Sequence, residues 1–200
     1  MEFALFIYRA RARFRACQRH SRLRLRLVSM SRFVYGSLMA PEVLSSLLGR
    51  VPPRAPACVR GFHRYRIRDR VYPAIARHED GGRVDGYLLS SLTSRELAVL
   101  DWFEDEAYVM RSVRVELADG ANAETIAYVY EDTRNLHGTW DYDEFRHAHL
   151  DDYLVACDAF AEDIRDEHFP GDDAALSTDD HEDAVVALST DDHEDDVAVT

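Results

Sequence analysis

The sequence predicts a small, barrel-like α+β domain. Segments with strand patterns outnumber those with helical patterns. The helical segments are interspersed among the strands rather than gathered in one block. The chain has 200 residues, of which 46% are hydrophobic, so it can build the core of one domain of ordinary size.

The first predicted elements are a strand and the helix that follows it. Residues 32–36, RFVYG, have the pattern of an apolar strand, and the two small residues Gly36 and Ser37 stand at its end. Pro41 suits the first position of a helix and Gly49 suits its end. The Gly-Ser turn before this helix is either a plain turn or a cradle whose backbone N–H groups approach a ligand closely.

The rest of the domain alternates further strands with two helices. The strands are predicted at 57–68, 84–92, 111–117 and 124–131, and the first two are separated by the turn EDGG. Between the strands 84–92 and 111–117 lies a helix that begins at a capping box of Thr93 and Glu96. A long helix from about Asp141 follows from an apolar stripe made by Phe145, Tyr153, Leu154, Cys157, Phe160 and Ile164.

Charge and composition exclude several classes of function. The chain contains no Lys, which rules out Schiff-base catalysis and a phosphate-loop Lys. The net charge is −13, and the middle of the chain is itself negative, which argues against nucleic acid as the main partner. No apolar run approaches the ~20 residues of a membrane span, so no membrane partner is expected. The three Cys are far apart, which predicts free thiols in a reducing compartment.

Both ends of the chain differ from the domain, which is predicted at residues 31–168. Residues 1–30 contain eight Arg and one acid, a composition typical of a transit peptide. Alternatively, these residues are a dispensable extension before a start at Met30, or a basic patch for membranes or nucleic acid. Residues 169–200 are acidic and repeat ALSTDDHED with a period of twelve residues, so we expect a disordered tail. The predicted location is the cytoplasm, or a chloroplast or mitochondrion if residues 1–30 are a transit peptide.

The segment LDWFEDEAY, residues 100–108, contains the main catalytic candidate. Glu104 lies four and seven residues after Leu100 and Leu97, so the helix directs it toward the apolar side. A carboxylate near apolar surface has a raised pKa and can act as general base or acid near neutral pH. Tyr108 either lines the same pocket or is an ordinary half-buried strand residue.

Two other kinds of site are weaker candidates. Ser37 as a nucleophile would need a His base, and none is close in the sequence. His147 and His149 are two apart on the predicted helix and cannot share a face, so with His137 they are more consistent with solvated or structural roles than with a metal site. No metal and no cofactor are expected.

Five segments occur in the order typical of a known family: FVYGSL, GFHRYRIRDRVYPAI, GYLLSSLTSRELAVLDWFED, EAYVMRSVRVEL and HGTWDYDEF. Together they resemble the γ-glutamylcyclotransferase-like superfamily, in particular its plant avirulence-induced-gene (AIG) branch, over roughly residues 33–165. The resemblance implies a small mixed β-barrel with flanking helices. It also implies a reaction in which a γ-glutamyl amine cyclises to 5-oxoproline and releases the amine.

The resemblance also implies site residues. Glu104 matches the family's proton acceptor at the end of the LDxxE helix. The substrate loop matches six consecutive residues, Tyr35, Gly36, Ser37, Leu38, Met39 and Ala40. Where relatives often have Gly after the catalytic Glu, this chain has Asp105, whose charge would raise the pKa of Glu104 or disturb the site. The expected partner is a small γ-glutamyl substrate.

Two functions from different classes therefore follow from the sequence. The first is an enzyme, a γ-glutamylcyclotransferase-like acyltransferase that uses Glu104 and the Tyr35–Ala40 loop. The alternative is a non-catalytic module that binds a small ligand or a partner on the same fold. A third hypothesis is that the Arg-rich residues 1–30 bind nucleic acid.

Overall fold

A computed structural model describes residues 30–104 and 107–168 of the chain. The predictions for the two ends of the chain, residues 1–29 and 169–200, and for Asp105 lie outside the described residues. The described chain contains eight β-strands: β1 Arg32–Val34, β2 Arg54–Arg60, β3 Phe62–Ile67, β4 Pro73–Arg77, β5 Arg83–Leu89, β6 Tyr108–Leu117, β7 Asn122–Tyr130 and β8 Leu136–His137. It also contains four α-helices: α1 Pro41–Leu48, α2 Ser94–Phe103, α3 Tyr142–Ala148 and α4 Leu150–His168.

Five of the strands form a closed barrel in the order β1-β5-β2-β6-β7. Neighbouring strands pair antiparallel except at the closure, where Arg32 of β1 lies beside Ile126 of β7 in a parallel pair. The barrel is therefore mixed, and the predicted fold class, a small mixed β-barrel with flanking helices, is confirmed. This pair, at the first residue of β1, closes the barrel between β1 and β7.

The other three strands form a small sheet in the order β4-β3-β8. This sheet corrects the prediction of one continuous strand over 57–68. Gly61 has a φ of 79°, a left-handed conformation that breaks the ladder and separates β2 from β3. Strands β4 and β8 were not predicted, because β4 begins at Pro73 and β8 has only two residues.

The helices follow their sequence signals with one exception. Pro41 occupies the first turn of α1, which ends at Gly49 with a φ of 73°. Thr93 and Glu96 form the predicted capping box of α2. The single long helix predicted from about Asp141 is instead two helices, α3 and α4, because His149 leaves the helical conformation at a φ of −132°.

Two apolar clusters form the core of the domain. One fills the barrel and is centred on Phe33, Val59 and Val115, each at most 2% exposed. The other lies between the barrel and the helices and includes Leu100 and Phe145. No helix within the described residues is both long and apolar enough to cross a membrane.

Candidate active site

A narrow cleft lies where the end of the barrel meets the helices. The loop after β1 forms one wall of the cleft, and Glu104, directly after α2, lies on its lining. Five tyrosines from different elements also line it: Tyr35, Tyr72, Tyr108, Tyr128 and Tyr153. The cleft contains a cavity of about 30 Å³, which is room for about two water molecules.

The Tyr35–Ala40 loop is held as a tight turn. The Met39 N–H donates to the Gly36 carbonyl at 2.9 Å, and the Ala40 N–H donates to the Ser37 carbonyl at 3.0 Å. Within the described chain, the N–H groups of Ser37 and Leu38 make no hydrogen bond. These two donors, at the start of a single helical turn, are available to an acceptor in the cleft.

The six residues predicted for the substrate loop divide into two groups. Tyr35, Gly36, Ser37 and Leu38 line the cleft, whereas Met39 and Ala40 do not. Ala40 is fully buried in the core beside the helices. Met39 and Ala40 therefore lie in the loop but outside the lining of this cleft.

Two arginines that lie outside the cleft support this loop. Arg64 donates to the main-chain oxygen of Tyr35 at 2.9 Å, and Arg54 donates to that of Met39 at 2.7 Å. Burial lowers the pKa of the Arg64 guanidinium from its usual value. The carbonyls of Tyr35 and Met39 are thus engaged by cations, which restricts the conformations available to the loop.

Glu104 is positioned by the end of α2. Its N–H donates to the carbonyl of Leu100 at 3.3 Å, and its own backbone is extended, with a φ of −78° and a ψ of 141°. Leu97 and Leu100 are buried on the face that the sequence predicted. The half-buried Glu104 follows that face into the cleft, where the structure brings it together with the Tyr35–Ala40 loop.

The negative charge of Glu104 acts on four tyrosines of the cleft. Burial raises the pKa of Tyr35, Tyr108, Tyr128 and Tyr153 well above the usual range, and the nearby Glu104 carboxylate raises it further. These tyrosines therefore remain neutral at physiological pH. They contribute rings and neutral hydroxyl groups to the same cleft lining as Glu104.

The hydroxyl groups of these tyrosines bind within the protein. Tyr35 donates to the main-chain oxygen of Tyr128 at 2.5 Å, and Tyr108 donates to that of Pro73 at 2.6 Å. The sequence indicated Tyr35 and Tyr108 as cleft residues, but it did not indicate Tyr72, Tyr128 or Tyr153. Tyr153 was visible only as a member of an apolar stripe, which gives no sign that its hydroxyl reaches a loop more than 100 residues away.

The weaker candidates do not assemble into a second site. The Ser37 hydroxyl lies 3.0 Å from the hydroxyl of Tyr153, so its partner is a phenol and not an imidazole base. His137, His147 and His149 lie on β8, on α3 and directly after α3, away from the cleft lining. Within residues 30–104 and 107–168, no group of three or more His, Cys, Asp or Glu side chains is placed to hold a metal ion.

The match to a family model shows what class of domain the closed mixed barrel and its flanking helices form. The chain belongs to the gamma-glutamyl cyclotransferase, AIG2-like family, whose sequence model matches residues 32–145. The resemblance stated from the sequence motifs is confirmed.

Individual relatives agree with this assignment. AIG2-like protein C of Arabidopsis thaliana is 42% identical over 137 residues, which are 66% of this chain and 78% of the relative. AIG2-like protein D of the same plant is 42% identical over 136 residues, 66% of this chain and 89% of the relative. The solution structure of an A. thaliana protein superposes with a TM-score of 0.52 at 28% identity, covering 72% of this chain and 95% of that one.

Proposed function

We propose that the protein is a γ-glutamylcyclotransferase-like acyltransferase that converts a γ-glutamyl amine into 5-oxoproline and the free amine. One observation carries the proposal. Glu104 lines the same cleft as Ser37 and Leu38, whose N–H groups make no hydrogen bond within the described residues, although these residues come from separate parts of the chain. A proton acceptor and a pair of anion-binding donors are the two components that this cyclisation needs.

Glu104 serves as the proton carrier. The α-nitrogen of the glutamyl group attacks its own δ-carbonyl, so one C–N bond forms and the C–N bond to the leaving amine breaks. The α-ammonium loses two protons as it becomes the lactam N–H, and the leaving amine takes them up. Glu104 can transfer these protons one after the other and ends the cycle ionised, so water is not consumed.

The Tyr35–Ala40 loop supplies the anion-binding part. The N–H groups of Ser37 and Leu38 bind the α-carboxylate or the oxyanion that develops on the δ-carbonyl. Because the attack is intramolecular and closes a five-membered ring, holding the reactive conformer contributes much of the rate. The loop is already held by its own turn and by Arg54 and Arg64, so little ordering remains to be done on binding.

The experiment is a measurement of 5-oxoproline release from a panel of γ-glutamyl compounds by liquid chromatography. The panel contains γ-glutamyl amino acids, glutathione, a γ-glutamyl amino sugar and γ-glutamyl-ε-lysine. We expect release from at least one member, with one molecule of amine formed per 5-oxoproline. Binding without release from any member would favour the non-catalytic binding module, and neither binding nor release would overturn the proposal.

A further inference from the structure

Arg32, Tyr128 and Asp101 form a closed triangle of side-chain contacts next to the cleft. Arg32 lies on β1 and is only 5% exposed. Its guanidinium donates to Asp101 at 3.1 Å and to the hydroxyl of Tyr128 at 3.3 Å. The Tyr128 hydroxyl in turn donates to Asp101 at 2.5 Å, so each member contacts both others.

The triangle connects the two elements that carry the candidate site. Asp101 lies on α2, three residues before Glu104, and Arg32 lies three residues before Tyr35, where the substrate loop begins. Tyr128 of β7 completes the connection, because its main-chain oxygen accepts the hydroxyl proton of Tyr35 at 2.5 Å. The strand that carries the loop and the helix that carries Glu104 are therefore tied together through these side chains.

The charges of the triangle stay paired. Burial by itself would lower the pKa of Arg32, but the neighbouring Tyr128 and Asp101 outweigh it, and the pKa is raised. A buried ion pair often contributes little net stability compared with apolar residues of similar size. Here the ion pair and the bridging Tyr128 hydroxyl orient β1, α2 and β7 relative to one another.

We propose that Arg32, Tyr128 and Asp101 are positioning residues that set the distance between Glu104 and the Tyr35–Ala40 loop. The inference rests on the proposed cyclotransferase function for its kinetic consequence. Its structural consequence, a fixed placement of the end of α2 relative to the loop, can be measured without turnover.

The test variant is Tyr128→Phe. It removes the bridging hydroxyl but keeps the ring, and Arg32 and Asp101 remain paired directly, so the fold should persist. Since a misplacement of about 1 Å can cost about a hundredfold in rate, we expect kcat to fall by about tenfold to a hundredfold. The KM should change little, because the groups proposed to bind the substrate remain.

A second variant tests whether the residues act as a unit. Asp101→Asn removes the carboxylate that both Arg32 and Tyr128 contact, and its kcat should fall at least as far as that of Tyr128→Phe. In the double variant the two losses should combine to less than their product, as expected for residues of one network. Losses that multiply fully would show independent roles and would contradict the proposal.

The matched control is Glu96→Gln on the same helix. Glu96 is 8% exposed and pairs with Arg50 at the opposite end of α2 from Asp101. Breaking this pair should lower stability while leaving kcat near the parental value. If Glu96→Gln lowered kcat as much as Tyr128→Phe, the effect would be general destabilisation of α2 and the proposal would be wrong.

Amide hydrogen exchange tests the same idea without turnover. The Glu104 N–H reports on the last turn of α2, and the N–H groups of Met39 and Ala40 report on the loop. In Tyr128→Phe we expect these amides to exchange faster than in the parent, while Glu96→Gln leaves them unchanged. Unchanged exchange in Tyr128→Phe would overturn the positioning role, whereas a parent that releases no 5-oxoproline would overturn only the proposed function.

Discussion

Gly36 packs directly against Pro73. A Cβ on Gly36 would lie 2.8 Å from Cγ and 2.9 Å from Cδ of Pro73, closer than real Cβ atoms approach other heavy atoms. The Pro73 ring cannot swing aside, because its Cδ is bonded to the backbone nitrogen. The main-chain oxygen of Pro73 accepts the Tyr108 hydroxyl at 2.6 Å, so this contact also helps to place one wall of the cleft.

Gly36→Ala should therefore destabilise the protein and disturb the cleft. Overpacking of this kind costs about 1–3 kcal/mol, and we expect that decrease in the free energy of unfolding measured with urea. The rate of 5-oxoproline release should fall as well, because Pro73 and Tyr108 must shift.

The control for this variant is Gly49→Ala. Gly49 has a φ of 73°, and an added Cβ would meet nothing within 4 Å. The cost there is conformational, on the order of 1 kcal/mol, and the rate should be unaffected. Parental stability in Gly36→Ala would show that the Pro73 contact is not a constraint.

Ser37 and Tyr153 should show a coupling energy. Their hydroxyl groups lie 3.0 Å apart, and both residues are buried. In a cycle of Ser37→Ala, Tyr153→Phe and the double variant, we expect a coupling of about 0.5–1.5 kcal/mol in the free energy of unfolding, the usual net value of one hydrogen bond. Because Ser37 is not proposed as a nucleophile, Ser37→Ala should retain turnover, and complete loss would restore the serine as a catalytic candidate.

Cys157 should be unreactive in the folded protein. Burial, helped by the neighbouring Asp158, raises the pKa of its thiol to about 12. At pH 8 only about one thiol in ten thousand would be ionised, and the thiolate is the reactive form. We expect mass spectrometry to find no alkylation of Cys157 by iodoacetamide under native conditions and full alkylation in denaturant, and rapid native labelling would contradict the burial.

The sequence predicted most of the local structure around the cleft. The helix boundaries agree with the sequence signals at Pro41, at Gly49 and at the Thr93–Glu96 capping box. These signals depend on backbone chemistry within a few residues, which a sequence shows directly. The direction of Glu104 also followed from local periodicity, since Leu97 and Leu100 define the buried face of α2.

Contacts between distant residues could not be predicted in the same way. Arg32 and Asp101 meet only because the closed barrel brings β1 beside the helix α2, and nothing in the spacing of 69 residues indicates it. The break at His149 was hidden by an apolar stripe that continues across both helices. The contact between Gly36 and Pro73 is likewise tertiary, so the sequence showed that a small residue is present but not why.

Glu104→Gln tests the central proposal most directly. Gln nearly matches Glu in shape, so the end of α2 should keep its packing, and thermal unfolding should show a melting temperature close to that of the parent. The amide of Gln cannot take the proton of the α-ammonium, and without that transfer no lone pair is available to attack the δ-carbonyl.

The measurement is 5-oxoproline release by Glu104→Gln and by the parent, on the member of the γ-glutamyl panel that the parent converts fastest. Loss of a positioned general base costs about a hundredfold to ten-thousandfold, and we predict a fall in kcat within that range. Binding of the same compound, measured by calorimetry, should remain in the variant. A kcat for Glu104→Gln equal to that of the parent would show that the base lies elsewhere and would contradict the account.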